Sequence, residues 1–597
     1  MRASLACAIA VLGAGACGGG QTGVGVFGAS WEDDGGKSIE EVRQRLAGTV
    51  ITQGADVAVG VAGHGARLVG QPLAGGARWT YAHPIDSRPI VTGRVVVASG
   101  GGSLFALDAL TGRPLWTRPT GGLALRGAGD DGTVTVATLA NAAGAGSTLL
   151  AVGRDGSVLR QIERPVELGD PAVVGRLAFV PWGHQYVSVL DVSDGAEVGR
   201  VLLREKTSHA WTSGGGLYFG ELGMFRFDEK IKDASHGGAH HLGLPARDLP
   251  GHPLLMRPGE ETVRAIAGAA DKIRLYARPT PVGAPLALDG GTFYATYFRL
   301  ALGLSGDKAH LAWVHTHPSP LIGGAAAEGS LILCDDAGKI TTLDGHTGAT
   351  VGDPLDLGEP VESCTVQADG VHMAGAARDP GPLVQQIRTA LADRDLEVGV
   401  GQTLLLRELA ALPDESATDL LVQLATDPRT ALGVLDEART AIANRRTGAR
   451  YLIAALDRHY DYLHDVLQPP PVGPIARALA AMNEKGAAPA LAAHLLDPAT
   501  SEKDVRDAAQ ALDVLATPAE APALLRFFAL YRDAPPTPEE IPEAVNAVAE
   551  ALLRVGGPAA SAVIDAAARE PATNPTVRAK VAALRDAAAA AGGGGTR

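Results

Sequence analysis

A chain of 597 residues exceeds what one hydrophobic core organises, so two or more domains are expected. Its 46% hydrophobic and 20% charged residues are not a disordered composition, and a net charge of −14 argues against a nucleic-acid partner, which requires a basic face. No internal run reaches the roughly 18 uninterrupted apolar residues of a membrane-spanning helix. Glycine clusters lie mostly before residue 350 and alanine-rich sequence follows, so the composition shifts once.

The first seventeen residues, MRASLACAIAVLGAGAC, carry one early Arg, a short apolar core and small residues ending at Cys17. That is the layout of a secretory signal over residues 1–17. Ala14-Gly15-Ala16 before Cys17 resembles a bacterial lipoprotein lipobox, with Ala14 where the pattern usually has Leu. The resemblance implies a diacylglycerol thioether on Cys17 and a stable membrane anchor. Ordinary cleavage, or an apolar N-terminus that is never cut, are the alternatives. Residues 18–54 read as a flexible tether carrying a short polar helix around Ser38 to Leu46. Cys7 leaves with the signal, so Cys334 and Cys364 remain. They either pair in an oxidising envelope or stay as two buried small hydrophobes.

Pro89 to Trp116, PIVTGRVVVASGGGSLFALDALTGRPLW, reads as strand, turn, strand, turn, strand. Gly100-Gly101-Gly102 is a hairpin tip, not a phosphate loop, because no helix or Lys follows it. Asp108-Ala-Leu-Thr-Gly112 turns the chain again, with side chains able to bond the turn's backbone. Such units recur. Taking Leu68, Leu104, Leu149, Val187, Met224, Leu300 and Ile340 as marks of an inner strand, the steps are 36, 45, 38, 37, 76 and 40 residues. The long step is two units or one with an insertion. Asp191 to Gly195 and Asp344 to Gly348 repeat the turn. A repeat of roughly 40 residues predicts an all-β propeller over 55–377, of seven blades or alternatively eight.

GRVVVASGGGSLFALDALTGRPLW resembles the pyrroloquinoline-quinone-type propeller repeat, closely at 93–116 and well at GKITTLDGHTG, 338–348. That family holds quinone-dependent dehydrogenases and also non-enzymatic envelope scaffolds such as the outer-membrane assembly lipoprotein BamB. The dehydrogenases carry a tryptophan floor, a Ca²⁺ site, an Asp base and often adjacent cysteines. This chain has no adjacent cysteines, and only Trp79 and Trp116 sit at blade-closing positions. The resemblance therefore implies a fold and licenses no activity by itself.

Residues 229–271 interrupt the pattern and carry His236, His240, His241 and His252. A metal pair at His236 and His240 would need a helix that Gly237-Gly238 opposes, so a polar excursion loop is expected. His315 and His317 share one strand face before Pro318, and are expected as surface or channel histidines. No nucleophile motif appears. No catalytic residue, cofactor or metal is assigned.

After Asp379-Pro380-Gly381-Pro382 the hydrophobic period changes from 2 to 3.6. Helices are expected around 383–391 and 404–412, then at 415–426, 430–444, 447–466, 473–484, 487–496, 502–516, 518–531, 539–555, 557–569 and 574–590. Val505-Arg506-Asp507-Ala508-Ala509 through Leu515, then Pro518, resembles a HEAT repeat. Ala544 to Val555 with Gly556-Gly557-Pro558 resembles another, and Val577 to Val581 starts a third. The expectation is a HEAT-like solenoid over 380–592 with an Ala-rich bundle as its rival, a connector at Pro469-Pro470-Pro471, and a frayed tail at 593–597.

Together these features describe a multidomain, non-enzymatic scaffold, lipid-anchored in the cell envelope and binding protein partners by its propeller rim and helical surface. The alternatives are a quinone-dependent or small-ligand-binding propeller, and an assembly factor of the BamB kind. BamB-type proteins lack a helical C-terminal half. The acidic balance favours basic patches on a partner.

Overall fold

The computed structural model describes residues 25–28, 37–141, 146–203, 206–221, 224–227, 249–250, 254–255, 264–265, 273–305, 310–370, 375–458 and 469–592. The chain divides into two compact units, Met1–Trp313 with His317–Pro380 and Val314–Thr316 with Gly381–Arg597.

The first unit is propeller-like. Among the described residues it holds seven antiparallel sheets of three to five strands, and a two-stranded ribbon formed by Leu254–Leu255 and Arg264–Ala265. Val95–Gly100 and Ser103–Asp108 show why such strands form. Both are apolar and buried along nearly their whole length, as strands covered on both faces must be. Gly101 and Gly102 join them at φ 57° and 77°, the paired left-handed conformation that a two-residue hairpin requires. The last strand, Val361–Gln367, pairs with the first, Val57–Ala62, with Val57 opposite Gln367 and Gly60 opposite Cys364. The end of the β region thus covers the edge left at its start.

One strand from each of the seven sheets borders a common cavity: Ile90–Thr92, Ala124–Asp130, Ala172–Val174, Thr207–Ser213, Ile273–Tyr276, Leu321–Ala327 and Val361–Gln367. The strands that mark the sequence repeat are not these. Arg67–Pro72, Ser103–Asp108, Ser147–Gly153, Tyr186–Asp191, Met224–Arg226, Leu300–Ser305 and Lys339–Asp344 are each third from the cavity. The reason is burial. Third strands such as Ser103–Asp108 and Ser147–Gly153 are buried along nearly their whole length, whereas cavity strands such as Ile90–Thr92 and Thr207–Ser213 are largely part-exposed. The 76-residue step spans the ribbon and residues outside those described, which include His236, His240, His241 and His252.

The Asp-Thr-Gly turn has one design in two places. Asp108 Oδ1 accepts from the Thr111 amide and hydroxyl at 3.0 and 2.7 Å. Asp344 Oδ1 does so from Thr347 at 2.8 and 2.7 Å. Each turn receives a tryptophan from the sheet before it: Trp79 Nε1 donates to the Ala109 carbonyl at 3.0 Å and Trp313 Nε1 to that of Gly345 at 2.9 Å. A Cβ at Gly112 or Gly348 would come within 2.5 or 2.6 Å of the indole, and both residues have positive φ. Glycine is therefore required twice over. Trp116 approaches Gly156 with its Cβ, 3.1 Å from where a glycine Cβ would stand, but its buried Nε1 makes no matching bond among the described residues. Trp313 is a third member of a set that the sequence placed at Trp79 and Trp116 alone.

The described part of 18–54 is docked, which corrects the expectation of a flexible tether. Val26 and Phe27 are 1% and 2% exposed. Helix Lys37–Leu46 lays Ile39, Val42 and Leu46 onto the fourth sheet, against Glu197–Leu202. Gly199 permits that approach, since a Cβ there would sit 3.1 Å from both Ile39 and Val42. Arg45 pairs with Asp191 at 2.5 Å, and Arg43 lies over the Phe227 ring.

The second unit is helical: Leu383–Leu391, Gly399–Ala411, Glu415–Thr426, Leu432–Ile442, Ala449–Leu456, Val472–Ala481, Ala488–His494, Glu502–Leu515, Ala521–Tyr531, Glu540–Val555, Gly557–Ala567 and Pro575–Gly592. The spans agree with the 3.6-residue period except that the stretch expected at 447–466 is described as Ala449–Leu456, with 459–468 outside the described residues. Alternate helices pack on each other, Gly399–Ala411 on Leu432–Ile442, Val472–Ala481 on Glu502–Leu515, and that helix on Glu540–Val555. Small residues set the spacing. Ala508, Ala544, Val548 and Ala551 are fully buried, and Gly473 donates its amide to Asp504 at 2.8 Å. Thr517 and Glu520 form a capping box where the sequence turns at Thr517-Pro518. Among the described residues no helix is long and apolar enough to cross a membrane.

Candidate functional site

The cavity at the centre of the first unit measures about 440 Å³, within the range of small-molecule sites. Of its carboxylates, Asp130 and Asp369 stand at the C-terminal ends of bordering strands, and Asp86 and Asp170 precede the N-terminal ends of others. Asp130 accepts from Thr135 Oγ1 at 2.8 Å, from the Gly132 amide at 3.0 Å and from Arg154 at 3.2 Å. Burial pushes its carboxyl above the ordinary range, and Arg154 opposes that. Asp369, just past the last strand, accepts from the Gly54 amide at 2.9 Å. Burial raises this carboxyl too, the Gly54 bond opposes, and Asp56 adds to the rise. Arg278 reaches the Asp369 carbonyl at 3.4 Å. Near the N-terminal ends, Arg88 donates to the Cys364 carbonyl at 2.9 Å, and Asp170 accepts from the Ala128 amide at 3.0 Å. Arg126 is exposed and has no polar partner among the described residues. The arrangement offers fixed donors, acceptors and titratable carboxyls to a small polar molecule.

A carboxyl whose folded pKa is raised binds its proton more readily in the native state. Its contribution is complete below the unfolded pKa and is lost as pH rises through the folded one. Asp369→Asn, which keeps an acceptor for Gly54 and removes the charge, is expected to raise the melting temperature by a few degrees at pH 7.5 and to leave it unchanged near pH 4. Thermal unfolding at the two pH values measures this.

Cys334 and Cys364 stand as a cystine with Cα atoms 6.4 Å apart, joining the seventh sheet to the first. Both are fully buried. His317 is neither a surface nor a channel histidine: it is 5% exposed and its Nε2 lies 3.0 Å from Asp335 Oδ2. His315 is half-buried two residues earlier. Among the described residues no group of three or more His, Cys, Asp or Glu is placed to hold a metal ion. Cys17 lies outside the described residues.

The helical unit has a groove of about 610 Å³ that sequence reasoning did not single out. Arg388, Arg394, Arg429 and Arg458 line it, against Asp393 and Asp427. Arg388 donates to Gln423 at 2.8 Å, whereas Arg394, Arg429 and Arg458 have no side-chain partner among the described residues. Leu396 and Leu432, beside the lining residues in the chain, are 92% and 73% exposed. Isolated arginines spread over four segments leave no pattern in one dimension. Only helix packing gathers them.

Residues 31–210 match a family model described as outer membrane protein assembly factor BamB. No curated protein matches the chain. Similar solved structures include BamB from Moraxella catarrhalis, at 13% identity, with 53% of this chain and 87% of that one covered and a TM-score of 0.28. The computationally designed Ika8 protein is 12% identical, with 53% and 93% covered and a TM-score of 0.28. Hsv2 from Kluyveromyces lactis is 9% identical, with 43% and 74% covered and a TM-score of 0.26.

Proposed function

We propose that this chain is a non-enzymatic scaffold of the bacterial envelope, anchored by lipid on Cys17. It binds protein partners through a seven-bladed propeller over 55–377 and a HEAT-like solenoid over 380–592. The observation that carries the reading is the match of residues 31–210 to a family described as an outer membrane protein assembly factor, a task performed on other proteins. Seven cavity-bordering strands and the pairing of the last strand with the first support seven blades. Packing of alternate helices supports the solenoid.

The groove of the helical unit supports a partner of stated chemistry. Its four arginines outnumber its two aspartates in a chain whose net charge is −14. With Leu396 and Leu432 exposed nearby, it suits an acidic segment with aliphatic side chains, although the chain's overall charge would favour a basic one. A photo-crosslinking residue is placed at Leu396, at Leu432, or at the exposed Val158 of the first unit as a control. Irradiation in the native envelope is expected to give one discrete protein adduct from the two helical positions. Arg394→Glu with Arg429→Glu should lower its yield roughly fivefold, because each reversed rim charge costs on the order of 0.5 kcal/mol. No adduct from either leucine would remove the helical face from the reading.

A further inference from the structure

We infer that the fourth sheet carries a built docking site for the chain's own N-terminal segment Val26–Gly28, and that this site holds the sheet within short reach of Cys17. Residues 25–28 form a turn closed by the Gly28 amide on the Gly25 carbonyl at 3.0 Å. Phe27 sits at φ 54°, a conformation that a bulky side chain adopts only when its surroundings hold it there.

Its surroundings are specific. Glu197 Oε2 accepts the Phe27 amide at 3.1 Å, Arg200 Nη1 donates to the Gly28 carbonyl at 2.6 Å, and Arg164 Nε to the Val26 carbonyl at 2.9 Å. Glu197 and Arg200 pair bidentately at 2.6 and 3.0 Å, with side chains 0% and 3% exposed. Ser188 Oγ donates to Glu197 at 2.6 Å and accepts Trp182 Nε1 at 2.7 Å. The guanidinium lies 4.9 Å above the Trp182 ring, and the Phe27 ring meets that indole edge-on at 6.0 Å.

A buried ion pair is favourable only when its geometry is good and its remaining hydrogen-bonding capacity is satisfied. Here the segment's main chain supplies part of that satisfaction, so pair and segment complete each other. A β-bulge makes the pair possible. Three residues apart, Glu197 and Arg200 would face opposite sides of a regular strand. The register shift that sets Leu190 opposite Glu197 and Val189 opposite Gly199 inserts Val198 and returns both to one side.

The consequence for the anchor rests on the proposed lipid at Cys17. The eight steps from Cys17 to Gly25 reach at most about 28 Å when fully extended. The fourth sheet is then the membrane-proximal side of the first unit, and the unit is oriented instead of hanging on a free tether.

Hydrogen exchange on the full chain tests the docking. The Phe27 and Gly28 amides are expected to exchange at least 100-fold more slowly than an unstructured peptide. Arg200→Met, or Phe27→Ala where that variant fails to fold, should raise the rate at least tenfold while residues 95–108 stay protected. Unprotected amides in the native protein would overturn the site. For the reach, lipidated protein in vesicles containing a dansyl-labelled lipid is fluorophore-labelled at Asp194→Cys in the fourth sheet or at Asp353→Cys in the seventh. Energy transfer should be stronger from position 194. Equal transfer with protected amides overturns the orientation and leaves the docking standing. An N-terminal peptide mass without diacylglycerol overturns the anchor reading, and exchange alone then decides the site.

Discussion

Replacing Arg445 by alanine is expected to lower the melting temperature of the helical unit by about 10 °C, corresponding to about 3–5 kcal/mol for removing a buried charge that satisfies several backbone groups. The side chain is 1% exposed. Its Nη1 donates to the carbonyls of Leu409, Ala410 and Leu412 at the end of helix Gly399–Ala411, of which Leu409 also accepts the Leu412 amide at 3.3 Å. Nη2 donates to the Asp414 carbonyl and to Thr447 Oγ1, both at 2.8 Å, and Nε to Thr418 Oγ1 at 2.7 Å. One guanidinium thus joins a helix end, the loop before Glu415–Thr426 and the turn before Ala449–Leu456. Burial pulls its pKa below the ordinary arginine value and Asp414 opposes this, so the charge is kept by its acceptors. Truncation leaves buried carbonyls without donors, at about 1–3 kcal/mol each where water cannot follow. Arg445→Lys keeps the charge without the planar fork and should recover less than half of the loss. The exposed neighbour Arg446→Ala should shift the midpoint by less than about 2 °C. Ellipticity at 222 nm against temperature measures all three. A loss below about 3 °C for Arg445→Ala would mean that water reaches those carbonyls.

Nothing in Ala443-Asn444-Arg445-Arg446 separates the buried arginine from the exposed one, and this marks where sequence reading stops. Regular elements follow from local periodicity: Val95 to Val97 must be covered on both faces, and Leu383, Ile387 and Leu391 must share one helix face, whatever the rest of the chain does. Turns follow for the same reason, since Asp108 and Gly112 act within five residues of each other. The cavity is different. Its strands carry no shared word: Asp130 lies in one, Arg278 and Asp369 just beyond others, and Leu321–Ala327 lends only Gly324, Ala325 and Ala326. Trp313 escaped because its partner turn lies 32 residues away at Gly345, although the separation between Trp79 and Ala109 is close to it at 30. That repeated distance was the available signal. Glu197 and Arg200 were hidden by arithmetic: strict alternation puts them on opposite faces, and only an inserted residue in the register brings them together.

The cystine supplies the second large effect. Cys334 lies in Ser330–Asp335 of the seventh sheet and Cys364 in Val361–Gln367, the strand that pairs with Val57–Ala62. Gly323, opposite Cys334, lets these strands approach, since a Cβ there would come within 2.3 Å of the Cys364 carbonyl oxygen. The bond therefore sits where the β region closes on itself. Opening of that seam is the step that must precede loss of the other sheets if they unzip from their ends. A bridge with a sequence separation of 30 restrains the unfolded chain by about 3–4 kcal/mol in the loop-entropy treatment. For a unit of this size, Cys334→Ala with Cys364→Ala should lower its calorimetric midpoint by about 5 °C. Denatured wild-type protein should yield no thiol from this pair until a reductant is added. Reductant should act on the native protein only as fast as the seam opens, because both sulfurs are buried. An unchanged midpoint together with two titratable thiols would mean that the pair stays reduced in the protein as made, and that strand pairing alone closes the first unit.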